Sequence, residues 1–106
     1  MFINLTPHAV NVLLNERTIT IEPSGTVARC SVSREQADAI ESIPVTRTVF
    51  GTVEGLPKPQ DGVYYMVSSL VAQALPSRTD LFVPDDVVRD EAGRVIGCRA
   101  LARVSR

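Results

Sequence analysis

Short runs of β-branched residues, separated by turn residues, constrain the fold of this chain more than any other feature. In residues 45–53, three valines, Arg47 and Gly51 share one side of an extended chain, and three threonines and Phe50 share the other. Residues 18–21 repeat the pattern, with two isoleucines opposite two threonines. A period of two is that of a β-strand, and β-branched residues favour strands. The sequence therefore predicts a β-rich protein.

Further strands are predicted between the remaining turn signals, at residues 2–6, 8–14, 27–32, 63–67, 80–83, 87–90 and 94–104. Residues 84–86 are interpreted as a turn between two of these strands. Gly93 is expected at a hairpin turn that needs a positive φ, and Gly97 predicts a bulge or a close backbone approach. The prediction is an antiparallel or mixed sheet of about six to eight short strands, either open or closed into a small barrel.

One helix is predicted over about residues 68–75. Leu70, Val71 and Ala74 have helical spacing, Ser68 or Ser69 is a natural N-cap, and a proline follows. The predicted fold class is accordingly α+β, with strands dominant.

A weaker helical signal covers about residues 33–43. Ser33 and Gln36 have the spacing of a capping box, and Ala37 and Ile40 begin a narrow apolar stripe. This segment is interpreted as either a second short helix or a loop.

Composition narrows the class of protein. The 106 residues suit one domain spanning residues 1–106, and 44% hydrophobic residues suffice for a core. Eleven basic and twelve acidic residues argue against nucleic acid as the default partner, because phosphate binding needs a basic surface.

The N-terminal residues lack a signal-peptide pattern, and no apolar run is long enough to span a membrane, so a cytoplasmic location is expected.

Several short phrases occur together along the chain, among them Asn4-Leu5-Thr6-Pro7-His8, Pro23-Ser24-Gly25, Gly55-Leu56-Pro57, Arg78-Thr79-Asp80 and Gly97-Cys98-Arg99. With these phrases the chain resembles a family of small uncharacterised proteins of bacterial genomes, phages and prophages. The resemblance extends over nearly the whole chain, which favours a single domain. It implies a phage or prophage setting and brings no catalytic or binding residue with it.

Candidate chemistry concentrates at a few polar residues. Ser68, at the junction of strand and helix, and Arg78 are suited to an anion, and Asp80 to a ribose hydroxyl or a cation. His8 and Arg99 complete the predicted pocket. Each residue also has a structural interpretation: Ser68 as N-cap, Arg78 and Asp80 as an ion pair, His8 in a turn and Arg99 on a solvated strand face.

The sequence contains no cofactor fingerprint, and one histidine with two distant cysteines does not predict a metal site. A disulfide between the two cysteines stays open. We therefore expect a non-enzymatic binding module without a cofactor, acting as a small homo-oligomer. It would bind a small anionic, nucleotide-like ligand or a protein partner. The alternatives are a virion assembly or head–tail joining component, and a small hydrolase that uses Ser68 or the aspartates.

Overall fold

The computed structural model describes residues 1–104, which form eight strands and one short helix. In chain order the elements are β1 (Phe2–Asn4), β2 (Val10–Leu13), β3 (Thr18–Ile21), β4 (Arg29–Ile40), β5 (Ile43–Glu54), β6 (Tyr64–Met66), α1 (Ser69–Ala74), β7 (Leu81–Arg89) and β8 (Val95–Arg103). The predicted β-rich fold is confirmed, with less helix than expected.

Six strands form a mixed sheet in the order β1-β6-β7-β8-β2-β3. The pairs β1–β6, β6–β7 and β2–β8 are parallel, and β7–β8 and β2–β3 are antiparallel. The two edges of the sheet approach each other where Asn4 forms a parallel bridge with Pro23, and the amide of Ser24 donates to the Asn4 carbonyl at 2.9 Å. The sheet is therefore nearly closed and barrel-like.

The core has two buried clusters, one on each face of β6. Because successive side chains of a strand point to opposite faces, Tyr65 and Met66 enter different clusters. Tyr65 packs with α1 and its neighbours, in a cluster of Leu5, Ala28, Tyr65, Val67, Val71, Ala72 and Leu81. Met66 packs with Val10, Val12 and Cys98 of β2 and β8. The region around β6 is thus covered on both sides.

The strands β4 and β5 form a separate two-stranded hairpin, which we call the arm (Arg29–Glu54). Neither of its 12-residue strands pairs with the six-stranded sheet. At its base, Cys30 and Val53 pack against the first core cluster, and beyond Cys30 every residue of β4 is exposed. The molecule measures 53 × 38 × 25 Å as a result of this elongated element.

The helix considered for residues 33–43 is wrong: these residues form most of β4, the turn at Glu41 and Ser42, and the start of β5. Gln36, interpreted as part of a capping box, lies opposite Thr46 in the antiparallel ladder. The physical reason is non-local. The β-branched residues of β5 need a partner strand, and pairing satisfies the backbone of both segments at once. The turn lacks the Asn-Gly or Asp-Gly pattern that predicts a hairpin.

The turn expected at residues 84–86 is also wrong, because β7 continues through it from Leu81 to Arg89. Pro84 is tolerated because β6 pairs with β7 only as far as Phe82, which leaves β7 one neighbour at that point. Asp86 has φ 50°, which interrupts the ladder locally without ending the strand.

Three local predictions are confirmed, at α1, at the β7–β8 turn and at β8. Ser68 is the N-cap of α1, and Gly93 has φ 82° in the β7–β8 turn. Gly97 lies against β2, where an added Cβ would stand 2.8 Å from the Asn11 carbonyl oxygen.

Candidate functional site

The largest cavity described lies where the arm joins the body, and we call it the base groove. It is an open cleft of about 730 Å³, within the range of small-molecule sites. Its lining comes from the β1–β2 loop, the end of the β3–β4 loop, the two ends of the arm and the start of α1: Pro7, Val27, Ala28, Arg29, Cys30, Ser31, Thr52, Glu54, Ser68 and Leu70.

Glycines shape the arm side of the base groove. A Cβ at Gly51 would lie 2.0 Å from the Ser31 hydroxyl oxygen, so any larger residue there would displace the Ser31 side chain. The ladder shifts register between Cys30 and Val32, which places Ser31 in an irregularity of β4. At Gly55, φ is 79° and a Cβ would lie 2.6 Å from the Val27 carbonyl oxygen. The backbone conformation and the close approach both require glycine there.

Ser68 lines the base groove at the start of α1. Its backbone is extended, and its Oγ accepts a 3.4 Å hydrogen bond from the amide of Val71. This bond satisfies one of the free amides of the first helical turn. The hydroxyl retains its own proton for donation to a second acceptor.

Two opposite charges lie at the rim of the base groove. Arg29 and Glu54 are register partners at the base of the arm, and both are exposed. Within residues 1–104 neither takes part in an ion pair at 4.0 Å or less. The guanidinium of Arg29 therefore has its donors available for an external anion.

The Arg78–Asp80 pair lies in a different cavity, of about 380 Å³, between the loop before β6 and the start of β7. Arg78 donates from Nε and Nη2 to the two carboxylate oxygens of Asp80, each at 2.8 Å, and from Nη2 to the Pro57 carbonyl at 3.1 Å. These bonds join β7 to the proline-rich loop. An anion at Arg78 would have to compete with Asp80 for the same donors.

The hydrogen bonds from Arg78 hold the pKa of the Asp80 carboxyl below its usual value. The same bonds raise the pKa of the Arg78 guanidinium, and partial burial opposes both shifts. Both Arg78 and Asp80 are therefore charged at neutral pH, as expected for a bidentate ion pair.

The other two predicted residues lie at the surface. His8 is exposed, and its carbonyl accepts hydrogen bonds from Asn4 Nδ2 at 2.8 Å and Thr6 Oγ1 at 3.0 Å. Arg99 is exposed and lies 3.7 Å from the Asp86 carboxylate. Of the predicted set, then, Arg78 and Asp80 are brought together, and Ser68 lines a separate cavity.

Arg29, Ser31 and Thr52 carry no motif that distinguishes them in the sequence. They share the base groove because β4 pairs with β5, and this pairing is the part of the fold that the sequence patterns do not reveal. The only available signal was indirect: Gly51 interrupts a β-branched run, and an isolated glycine in a strand indicates a bulge or a close approach.

In the part of the chain that the structure describes, no group of three or more His, Cys, Asp or Glu side chains could hold a metal ion. Cys30 and Cys98 are both free thiols, and burial raises the pKa of the Cys98 thiol. Among residues 1–104, no helix has both the length and the apolar character needed to cross a membrane.

The chain matches no protein-family model, and no curated protein or solved structure matches it.

Proposed function

We propose that this chain is a non-enzymatic binding module of phage or prophage type that holds a small anionic, nucleotide-like ligand in the base groove. The observation that carries the proposal is Arg29, an exposed cation that forms no ion pair within residues 1–104, at a cavity also lined by Ser31, Thr52 and Ser68. The phage setting rests on the sequence resemblance alone.

The chemistry of the groove suits a phosphorylated sugar or nucleotide. Arg29 supplies charge-assisted donors for a phosphate, and the hydroxyls supply further donors. Glu54 is placed to accept from a sugar hydroxyl. Pro7 and Leu70 offer an apolar wall for a base, and Leu70 has 44% of its surface exposed. Five of the ten lining residues are apolar, and small-molecule sites combine apolar surface with polar groups that fix the ligand's orientation.

Titration calorimetry against a panel of mono-, di- and cyclic nucleotides tests the proposal. We expect heat with at least one member, and Arg29→Gln should weaken that binding at least about tenfold, the loss of one charge-assisted contact. Arg34→Gln is the matched control, since Arg34 lies on the same strand beyond the groove. The absence of heat with every nucleotide, or an equal effect of the two variants, would contradict the proposal.

We propose further that the protein acts in the cytoplasm of the host cell. Two unpaired thiols support this location, because reducing compartments keep cysteines free. Cells are quenched with acid, and the extracted protein is then treated with a thiol reagent in denaturant. We expect the reagent to label both cysteines. A quantitative Cys30–Cys98 disulfide would argue for an oxidising compartment.

A second candidate function is a virion assembly or head–tail joining component. The arm favours it: the outer edges of β4 and β5 have no partner strand in the described chain, and such edges are suited to contacts between subunits. Closed rings in negative-stain electron micrographs of the purified protein would support this candidate. A strictly monomeric protein at millimolar concentration would contradict it.

A further inference from the structure

The tip of the arm exposes apolar side chains that no part of the described chain covers. We define the tip as residues Ile40–Ile43, and Ile40 and Ile43 are register partners on one side of the hairpin. They are 64% and 63% exposed, more than the other large hydrophobic residues of the arm. Glu41 stands between them at the turn, and among residues 1–104 its carboxylate has no cation within 4.0 Å.

The turn itself has an unfavourable backbone for its residues. Glu41 and Ser42 have φ of 51° and 65°, the left-handed conformation required twice in a two-residue hairpin turn. Asn and Gly adopt this conformation readily, whereas most other residues are disfavoured there. The tip therefore carries an exposed carboxylate on a turn with backbone strain. Strain of this kind is concentrated at contact sites.

A second exposed apolar surface, with a positive charge in place of the negative one, lies on the body. There one end of the barrel-like sheet carries three aromatic rings. We call it the aromatic patch (Phe2, Tyr64, Phe82 and Arg103). The ring centroids are 5.3–5.7 Å apart, and Phe2 and Tyr64 are 39% and 38% exposed. The Arg103 guanidinium lies 5.2 Å from the centre of the Phe82 ring, and no carboxylate of the described residues is within 4.0 Å of it.

We propose that the tip of one copy docks on the aromatic patch of a second copy, with Ile40 and Ile43 on the rings and Glu41 against Arg103. Each surface is apolar and carries one charge that has no ion-pair partner among residues 1–104, and the two charges are opposite. A tip without a basic residue and a patch centred on an arginine are complementary, whereas tip against tip would oppose two carboxylates. A second copy supplies both surfaces without any further partner.

The contact joins two different surfaces: exchanged between two copies it makes a two-fold, isologous interface, and repeated in one direction it is heterologous. Two copies that exchange arms form a closed dimer, and a larger number form a ring. The contact does not use the base groove: Arg29, Ser31 and Ser68 are in neither surface. Loss of self-association and loss of ligand binding are therefore separable results.

Charge reversal tests the pairing directly. Glu41→Arg and Arg103→Glu should each weaken self-association at least about tenfold in sedimentation velocity, and the double variant should recover most of the wild-type affinity. Glu16→Arg, in the exposed turn before β3, is the matched control and should not change the affinity. A double variant that is as weak as the two single effects combined would overturn the proposal, as would a monomeric wild-type protein.

A mixing experiment separates this contact from symmetric pairing of two arms. Ile43→Asp should remove the tip and Tyr64→Asp the patch, so each variant alone should be monomeric with an unchanged far-ultraviolet circular dichroism spectrum. The mixture should form a one-to-one dimer through the one remaining intact contact. If the Tyr64→Asp variant still oligomerised by itself and only Ile43→Asp lost self-association, arms would pair with arms. That result would overturn the assignment of the patch.

Discussion

The guanidinium of Arg78 holds the carboxylate of Asp80 by two hydrogen bonds of 2.8 Å. Their side chains are 19% and 13% exposed, so water screens this pair less than it screens a surface pair. A third bond, from Arg78 to the Pro57 carbonyl, connects the loop of residues 55–62 to the beginning of β7. The Arg78 guanidinium thus holds both Asp80 and the loop that leads into strand β6.

Replacing Arg78 should destabilise the fold. In Arg78→Met, Asp80 and the Pro57 carbonyl lose their donors, and we expect the free energy of unfolding to fall by about 2 kcal/mol, a value typical of bonds to charged groups. The control is Arg47→Met, because the Arg47–Glu35 pair on the arm is 72% and 54% exposed. Urea denaturation should show a much smaller loss for the control. Equal losses would mean that the Arg78 pair behaves as a surface pair.

The same pair should give the protein a component of acid sensitivity. Because the folded-state pKa of Asp80 is lowered, its contribution to stability is present above the unfolded-state pKa of about 3.9 and is lost as the pH falls through the folded value. The difference in unfolding free energy between wild type and Asp80→Asn should be constant near neutrality and shrink below about pH 4. Glu35→Gln is the control. A difference that persists undiminished at the lowest pH would contradict the ion-pair account.

The sequence patterns predicted the elements that are held together by local chemistry. Ser68 before an apolar helical stripe was sufficient to place α1, and alternation identified the strand core of residues 45–53. The pairing of β4 with β5 into the arm was missed because its turn, Glu41 and Ser42, is stabilised by the long ladder behind it and not by residues that favour the turn. Non-local pairing of this kind leaves no periodic signal in the strand that is the weaker partner, here β4.

The candidate site was predictable only in part for the same reason. Arg78 and Asp80 are two residues apart, so their pairing was foreseen as one of two interpretations. Ser68 was expected in one pocket with them, but Ser68 precedes α1 and the Arg78–Asp80 pair follows it, and the two lie in different cavities. Arg29 enters the base groove through the register of β4 with β5, which a single sequence does not specify.

Gly97 should be irreplaceable for a reason that differs from that for Gly93. In Gly97→Ala the new Cβ would meet the Asn11 carbonyl at 2.8 Å and the Leu13 side chain at 3.0 Å, so we expect a loss of about 1–3 kcal/mol, as for an overpacked site. Gly93 has open space around it and only a positive φ. Its replacement by alanine should cost about 1 kcal/mol.

Asparagine distinguishes the two mechanisms, because it tolerates positive φ but is larger than alanine. Gly93→Asn should be more stable than Gly93→Ala, and Gly97→Asn should be less stable than Gly97→Ala. Thermal unfolding of the four variants is the measurement. If asparagine rescued both positions, the close approach of β8 to β2 would not be what requires glycine at residue 97.

Asn4 should be the most sensitive polar position in the chain, because its side chain joins the two edges of the sheet. It is 1% exposed. Its Nδ2 donates to the carbonyls of His8 and Ile21 at 2.8 and 2.9 Å, and its Oδ1 accepts from the amide and hydroxyl of Thr6. Asn4→Ala would remove four hydrogen bonds made inside the buried Asn4 site, and we expect a loss of at least about 3 kcal/mol.

Asn4→Asp gives a sharper test of the same network. The carboxylate keeps the acceptor that Thr6 uses but directs a second oxygen at the carbonyls of His8 and Ile21, so it should be no more stable than Asn4→Ala at neutral pH. Protonation restores one donor, so the aspartate variant should gain stability relative to wild type as the pH falls. Asn11→Asp is the control, since Asn11 bonds Thr20 at an exposed site. A neutral-pH Asn4→Asp protein as stable as wild type would show that the two carbonyls find other donors and that Asn4 does not hold the sheet edges together.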